Sequence, residues 1–166
     1  KEGTMMDFGK HVIPSYLENK EEVYAYSHEG YWKDVGTIDS LWETNMEFIE
    51  PDFELDIYDA TWPIYTRYKA SPPQFIKENA VINHSMVVDG CVIDGKVNNS
   101  VISEEVKIDT DAAVENSVIM SRAQIGKNAQ VKYAIVGESA IVEDNAKVIG
   151  DENNIVVVGY EEVVKQ

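Results

Sequence analysis

Branched aliphatic residues recur every five or six positions through the second half of the chain. The full set is Ile76, Ile82, Val87, Ile93, Val97, Ile102, Ile108, Val114, Ile119, Ile125, Val131, Val136, Val142 and Val148. A twelve-residue unit that carries them begins at Ile82, Val97, Val114 and Val131, at spacings of 15, 17 and 17 residues. A single four-residue step, from Ile93 to Val97, shortens the first spacing. Such a short period is typical of stacked β-coils, and common helical repeats are longer.

Small or compact residues recur in three rows between the aliphatic positions. The rows are Ala80, Ala112, Ala129 and Ala146; Cys91, Val106, Ala123 and Ala140; and Ser85, Ser100, Ser117 and Ala134. Three short strands per coil would each direct one large and one small side chain into a narrow triangular interior. Stability then depends on stacking, because a single coil cannot bury its inner face. No apolar stripe of helical period crosses this region, so a parallel β-helix of four to five coils is predicted.

This hexad pattern, over residues 76 to about 149, resembles the hexapeptide-repeat proteins that form left-handed parallel β-helices. The left-handed winding is implied by the resemblance. Acyltransferases, carbonic anhydrases and nucleotidyltransferases all carry such a domain, so the fold alone does not select a function.

The first third of the chain has a different pattern, without hexads and rich in aromatic residues. Fourteen of the sixteen Phe, Trp and Tyr residues lie at or before Phe75. We expect a short helix capped by Asp7 and kinked or ended near Pro14. Two strands are predicted at residues 23–27 and 31–34.

An amphipathic helix is predicted to begin at Thr37, although a capping box at Ser40 and Glu43 would also fit. Residues 51–73 form a long connection whose aromatic residues we expect to lie pinned across a surface. Residues 1–50 are too few to form a stable core and are interpreted as the tail of a larger α/β domain. The predicted organisation is a domain tail at 1–50, a linker at 51–75 and a β-helix domain at 76–166.

The composition of the chain limits the classes of partner and the cellular location that are expected. Fourteen basic against thirty acidic side chains give a net charge of −16, which argues against nucleic acid and against an anionic membrane surface as partners. The sequence has no apolar run long enough to span a bilayer and no signal-peptide pattern. The only cysteine, Cys91, lies at a small interior position and is interpreted as a buried, inert thiol. A cytoplasmic protein is expected, and the start at Lys1 without Met suggests a fragment of a longer chain.

Residues 30–37, with the sequence GYWKDVGT, carry the candidate chemistry. Asp34 follows a predicted strand and precedes a glycine at a helix start. A carboxylate there suits Mg²⁺, and the amides of a helix N-terminus favour phosphate oxygens. The alternative from spacing alone is that Asp34 only caps a turn.

The order of motifs resembles the C-terminal part of bacterial glucose-1-phosphate adenylyltransferases, the ADP-glucose pyrophosphorylases. These motifs are DFGKHVIP, GYWKDVGT, SLWETNMEF and WPIYT, followed by the hexads. The resemblance implies that Asp34 helps hold a catalytic Mg²⁺ and that Trp32 and Lys33 lie on the substrate side. It also implies ATP and glucose 1-phosphate as substrates in the full-length enzyme, a role in glycogen biosynthesis, and a tetramer of identical subunits or one shared with a non-catalytic paralogue.

Several readings stay open. The sequence has no glycine-rich phosphate loop, so this chain by itself is expected to be inactive and to act as an assembly or regulatory domain. Another sugar-nucleotide pyrophosphorylase is an alternative parent. A hexapeptide acyltransferase is a further alternative, although the only histidine within the repeats, His84, is expected at a solvent-facing corner.

Overall fold

The computed structural model describes residues 6–66 and 70–166. Packing divides the chain into two units, Lys1–Tyr31 and Trp32–Gln166. The described elements are a π-helical turn at Phe8–Val12, helix α1 at Ile13–Glu18, helix α2 at Ile38–Glu47, and strands β1 (Phe75–Ile76), β2 (Val81–Val87), β3 (Val92–Ile93), β4 (Lys96–Ile102), β5 (Lys107–Ile108), β6 (Ala113–Glu115), β7 (Val118–Ile119), β8 (Gln124–Ile125), β9 (Gln130–Lys132), β10 (Ala134–Val136), β11 (Ile141–Val142), β12 (Lys147–Ile149), β13 (Val156–Val158) and β14 (Val163–Val164).

The helical segment of the first unit is capped as predicted. The Asp7 carboxylate accepts the backbone N–H of Lys10 at 2.6 Å. The helix was predicted to be kinked or ended near Pro14; the π-helical turn ends at Val12, and the chain continues as α1 from Ile13 to Glu18. Pro14 stands in the first turn of α1, where its missing N–H removes no helical hydrogen bond.

The two strands predicted in the first third do not form. Residues 23–27 and 31–34 have no strand structure, and most of them are exposed. A strand is stabilised by backbone hydrogen bonds to a neighbouring strand, and no described strand pairs with either segment. Alternation of apolar and polar residues was therefore insufficient evidence for a strand.

The second half forms a parallel β-solenoid of about four turns, so the predicted mainly β fold class is confirmed. Face 1 contains β1, β3, β5, β8, β11 and β14. Strand β4 turns a corner, because its first half pairs with β6 and its second half with β7. Face 2 therefore continues through β6, β9 and β12, and face 3 through β7, β10 and β13. The left-handed winding remains an implication of the resemblance.

The aliphatic positions of the hexads line the interior. Eleven of the fourteen, from Ile93 to Val148, are buried. The first coil is less well covered, since Ile76 is 42% exposed and Ile82 and Val87 are only half-buried. An end coil has a neighbour on one side only, so its inner residues gain less burial than those of central coils.

Most corners of the solenoid place a residue in the left-handed backbone region. One row is His84, Asn99, Asn116 and Tyr133; a second is Gly90, Glu105, Arg122, Ser139 and Glu161; a third is Asp111, Asn128 and Asn145. The corner at Asp94 and Gly95 has no such residue, and the step across it, from Ile93 to Val97, is the short one of four residues. A Cβ atom at Gly95 would lie 2.6 Å from the carbonyl oxygen of Ala112, so only glycine fits this tight corner.

Helix α2 packs on face 3, within the second unit. The predicted start of the helix at Thr37 agrees with the structure, in which Thr37 is the N-cap and forms a capping box with Ser40; the alternative start with a box of Ser40 and Glu43 is not the one formed. The helix buries Met46 in a cluster with Val118, Ile135 and Ile155. Val118 and Ile135 are outward residues of β7 and β10 that lie side by side.

The proposed domain boundaries at residues 50 and 75 stay predictions, although packing groups α2 with the solenoid. In the connection, Phe53 is half-buried and packs edge-on against Phe48, with ring centroids 4.8 Å apart. Tyr68 lies outside the described residues, and the other three aromatic residues are not pinned as expected. Tyr58, Trp62 and Tyr65 are 83%, 84% and 92% exposed. Within residues 6–66 and 70–166, no helix has both the length and the apolarity to cross a membrane.

Candidate functional site

The candidate site is the loop of residues 32–36, which leads into α2. Asp34 is exposed, and its Oδ1 accepts the backbone N–H of Gly36 at 3.2 Å. A Cβ at Gly36 would lie 3.3 Å from the same oxygen, so glycine leaves room for this turn. The carboxylate therefore caps its own loop and also faces solvent.

Asp34 fits a magnesium site only as a contributor of one ligand. The described residues contain no group of three or more His, Cys, Asp or Glu side chains that could hold a metal by themselves. Mg²⁺ commonly takes one or two protein carboxylates and completes its shell with water and substrate phosphates. An exposed, single carboxylate is compatible with that mode of binding.

Trp32 and Lys33 differ in how far they are available to a substrate. The Trp32 side chain is 73% exposed and presents its ring to solvent. Lys33 Nζ lies 2.6 Å from Glu47 Oε1 and 3.3 Å from Glu43 Oε2. The hydrogen bond that Lys33 donates to Glu47, with a smaller contribution from the one it donates to Glu43, raises the pKa of Lys33 above its ordinary value of 10.5, against the opposing effect of burial. Lys33 is thus a charged residue that is ion-paired to α2, whereas the resemblance places it on the substrate side.

The N-terminus of α2 offers less to a phosphate than the sequence suggested. The Thr37 hydroxyl accepts the amide of Ser40 at 3.2 Å, and the Ser40 hydroxyl accepts the amide of Thr37 at 3.1 Å. Two of the amides that would otherwise bind an anion are therefore satisfied by the capping box. Asp39 adds a negative charge in the first turn. Phosphate binding by this helix end, expected from sequence, receives no support from the geometry.

Sequence reasoning missed Glu43 and Glu47 as members of the site. They are four residues apart on α2, so they lie one turn apart on the same side of the helix. The signal was present as an acidic pair outside the apolar stripe of the helix. Nothing in the sequence, however, indicated that Lys33 would meet it.

The side chains relevant to the rival chemistries have structural roles. Cys91 is fully buried, and burial is the main reason that the pKa of its thiol is raised, which disfavours a nucleophilic thiolate. His84 is exposed at a corner, as expected, with Nδ1 2.8 Å from Asn99 Oδ1. The Asn99 amide in turn donates to Asn116 Oδ1 at 2.7 Å, so the imidazole extends a row of corner side chains.

An open depression of about 500 Å³ lies elsewhere, on the outer side of face 1. Lys107, Gln124 and Ile141 are among the residues that line it. None of the predicted site residues contributes to it. Because a depression that lacks these residues does not indicate the functional site, we assign no function to it.

The fold defines a hexapeptide-repeat β-solenoid protein, and the comparisons with known families agree. A family model described as GlmU-like, C-terminal hexapeptide, matches residues 71–155, slightly more than half of the chain. The chain belongs to this family. A second family model, described as nucleotidyl transferase, matches residues 1–50. A part of a nucleotidyl transferase domain followed by a hexapeptide domain supports membership among the sugar nucleotidyltransferases.

Proposed function

We propose that this chain is the C-terminal part of a glucose-1-phosphate adenylyltransferase, which makes ADP-glucose and pyrophosphate from ATP and glucose 1-phosphate in glycogen biosynthesis. The observation that carries the proposal is an exposed aspartate, Asp34, in the GYWKDVGT loop, which lies inside the nucleotidyl transferase match at residues 1–50 and ahead of the hexapeptide match at residues 71–155. The solenoid then serves assembly or regulation, and this chain by itself is inactive.

In this proposal Asp34 provides one carboxylate ligand to Mg²⁺. When bound, the ion neutralises charge on the phosphates of the nucleotide and on the leaving pyrophosphate. The hydrogen bond that Asp34 Oδ1 accepts from the Gly36 amide limits the rotation of the carboxylate, so less freedom is lost when it binds an ion. The exposed ring of Trp32 provides an apolar surface against which a sugar can pack.

The proposal is tested in the full-length protein with three substitutions. Asp34→Ala removes the ligand and should lower turnover by about 100-fold or more, the scale of losing transition-state charge stabilisation. Asp34→Asn keeps an oxygen that can accept the Gly36 amide but removes the charge, and should be nearly as inactive. Asp39→Ala, in the first turn of α2, is the matched control and should leave turnover within about threefold, as expected for an acidic residue outside the metal shell.

Full activity in Asp34→Asn would reduce Asp34 to a turn cap and would contradict the metal role. The nucleotide is tested by comparing ATP with GTP, UTP and dTTP in the same assay. A preference for one of the other nucleotides would identify a different sugar-nucleotide pyrophosphorylase. If residues 1–166 alone released pyrophosphate in a metal-dependent reaction, the proposal would have the active site in the wrong place.

We also propose that the full-length protein is cytoplasmic and assembles as a homotetramer or with a non-catalytic paralogue. The apolar residues of the last coil support an association surface, since Ile149, Val157 and Tyr160 are 50%, 45% and 67% exposed. At −16 per chain, repulsion opposes association, so assembly should strengthen with salt. Light scattering of residues 1–166 across ionic strength tests whether the solenoid carries this contact, and a monomer at every salt concentration would exclude it.

A further inference from the structure

The loop that carries Asp34 is attached to α2 by an ion-paired lysine. Lys33 precedes Asp34 directly, and its ammonium bridges Glu47 and Glu43 at 2.6 Å and 3.3 Å. Both carboxylates lie in the C-terminal half of α2. The negative end of the helix dipole also favours a cation there. Three interactions therefore hold Lys33 against the same part of the helix.

Helix α2 is in turn fixed to the solenoid. The indole N–H of Trp42 donates to the backbone carbonyl of Asn116 at 2.9 Å, at a corner of the third coil. Met46, one turn further, is 7% exposed and packs with Val118 and Ile135 of face 3. The helix therefore has a rigid support on the side of the solenoid.

Asp34 lies between two anchored points. Lys33, before it, is bound to α2, and Thr37, three residues after it, is the N-cap of the same helix. The Gly36 amide also binds the Asp34 carboxylate at 3.2 Å. Movement of Lys33 away from α2 would release the loop on one side and allow the carboxylate to reorient.

We propose that Lys33 is a positioning residue that acts through Glu47 and Glu43 to orient Asp34, with the solenoid as the fixed support. The role of Asp34 in metal binding rests on the proposed function; the positioning of the loop does not. This assignment differs from the expectation that Lys33 contacts substrate. A lysine that binds the sugar phosphate directly would act without Glu47.

Metal dependence in the full-length protein separates positioning from a purely electrostatic effect. Lys33→Met removes a positive charge near Asp34, and Glu47→Gln removes a negative charge. Simple electrostatics would change the apparent KM for Mg²⁺ in opposite directions in the two variants. Loss of positioning should raise it in both, by about two- to fivefold, the range expected for a partly exposed ion pair. Turnover at saturating Mg²⁺ should change much less.

The pairing is tested further by a double substitution and a conservative one. Lys33→Met combined with Glu47→Gln should be no worse than Lys33→Met alone, because Lys33→Met already removes the contact with Glu47. Lys33→Arg can still bridge the two carboxylates and should therefore keep the metal dependence of the wild type, in contrast to Lys33→Met. Normal behaviour of Glu47→Gln beside a strong loss in Lys33→Met would overturn the proposal in favour of direct substrate contact.

A second readout does not depend on enzymatic activity. Hydrogen exchange of the Gly36 amide, measured by NMR in residues 1–166, reports how well the Asp34 carboxylate is held. Exchange should rise by about two- to fivefold in Lys33→Met and in Glu47→Gln. The Ala134 amide, bonded inside the solenoid, is the internal control and should not change.

Trp42→Phe tests the support, since it keeps an aromatic ring but loses the bond to Asn116. It should also increase exchange at Gly36, whereas Trp62→Phe, at an 84% exposed position, should have no effect. Unchanged Gly36 exchange in Lys33→Met and Glu47→Gln would overturn the positioning role. Exchange at Gly36 could be faster in these variants while turnover of the full-length protein does not depend on Asp34. That pair of results would support the positioning role of Lys33 and contradict only the proposed function.

Discussion

The side-chain hydroxyl of Ser117 accepts the backbone N–H of Ala134 at 3.2 Å, between two coils of the solenoid. The same hydroxyl donates to the carbonyl of Glu115 at 2.7 Å. Ser100 repeats the arrangement one coil earlier and accepts the amide of Ser117 at 3.1 Å. Both serines are fully buried. A row that the sequence presents only as small residues is therefore a polar ladder that satisfies backbone amides in the interior.

Replacing Ser117 with alanine should destabilise the solenoid, because the Ala134 amide would be buried without an acceptor. The expected loss is about 1–3 kcal/mol in the free energy of unfolding. Ser85→Ala is the matched control, since Ser85 makes the same two bonds in the first coil but is only half-buried. Water can replace its hydroxyl, so the loss there should be smaller. Urea unfolding measures both, and equal losses would contradict this account of the ladder.

Gly95→Ala should destabilise the corner between β3 and β4. The added methyl would lie 2.6 Å from the Ala112 carbonyl oxygen and 2.9 Å from that of Asp109, and both are backbone atoms of the adjacent coil. We expect a loss of about 1–3 kcal/mol from this overpacking. Gly9→Ala is the control, because its nearest neighbour would be Asp7 Oδ1 at 3.5 Å. Thermal unfolding that gave the same midpoint for both variants would contradict the predicted clash.

Asp94 should make the solenoid sensitive to acid. Its Oδ2 accepts the Thr110 hydroxyl at 2.7 Å and lies 3.4 Å from Lys77 Nζ. The Thr110 hydrogen bond, followed by the charge of Lys77, lowers the pKa of Asp94 below its ordinary value of 3.8, and burial opposes this shift. The unfolded chain therefore binds this proton first as the pH falls. The stabilisation is fully present above pH 3.8 and is lost as the pH falls through the folded pKa.

Asp94→Asn should remove this part of the pH dependence. Unfolding midpoints measured between about pH 2.5 and 6 should fall less steeply with acid in Asp94→Asn than in the wild type. Asp52→Asn, at an exposed position, controls for the general change in net charge. Parallel pH profiles for the wild type and Asp94→Asn would show that the Thr110 and Lys77 contacts do not contribute to folding.

The interior hexad positions should be far more sensitive to truncation than outward aliphatic residues. Ile119 is fully buried, and Ile119→Ala should cost about 2–5 kcal/mol through lost burial and a cavity. Ile149 is 50% exposed, and Ile149→Ala should cost much less. Ile119→Asp should unfold the domain, because it buries a charge without a partner. Circular dichroism and urea unfolding compare the variants; similar losses for the two alanine substitutions would contradict the inward orientation of the hexads.

The sequence by itself determined the solenoid, because its register follows from local rules repeated in every coil. Each coil presents the same aliphatic spacing, and like residues stack on like residues, so Ile93 pairs with Ile108 and Ile108 with Ile125. The start of α2 at Thr37 was also predicted from local pattern, but the capping box is formed by Thr37 with Ser40 and not by Ser40 with Glu43, the pair that the sequence suggested. The failed strands at residues 23–27 and 31–34 show the limit of local pattern, because a strand requires a partner that its own sequence does not specify.

Only the tertiary structure decided how the candidate site is held. The aliphatic pairs Val118–Ile119 and Ile135–Val136 each place one residue inside and one outside, and the outward residues become the surface that α2 covers. Trp42 and Asn116, whose bond fixes the helix, are 74 residues apart. Lys33 meets Glu47 only because α2 lies in one particular orientation beside the loop. Such contacts depend on the packing angle between elements, and that angle is set by how well many side chains fit together. The spacing of residues along the chain does not predict it.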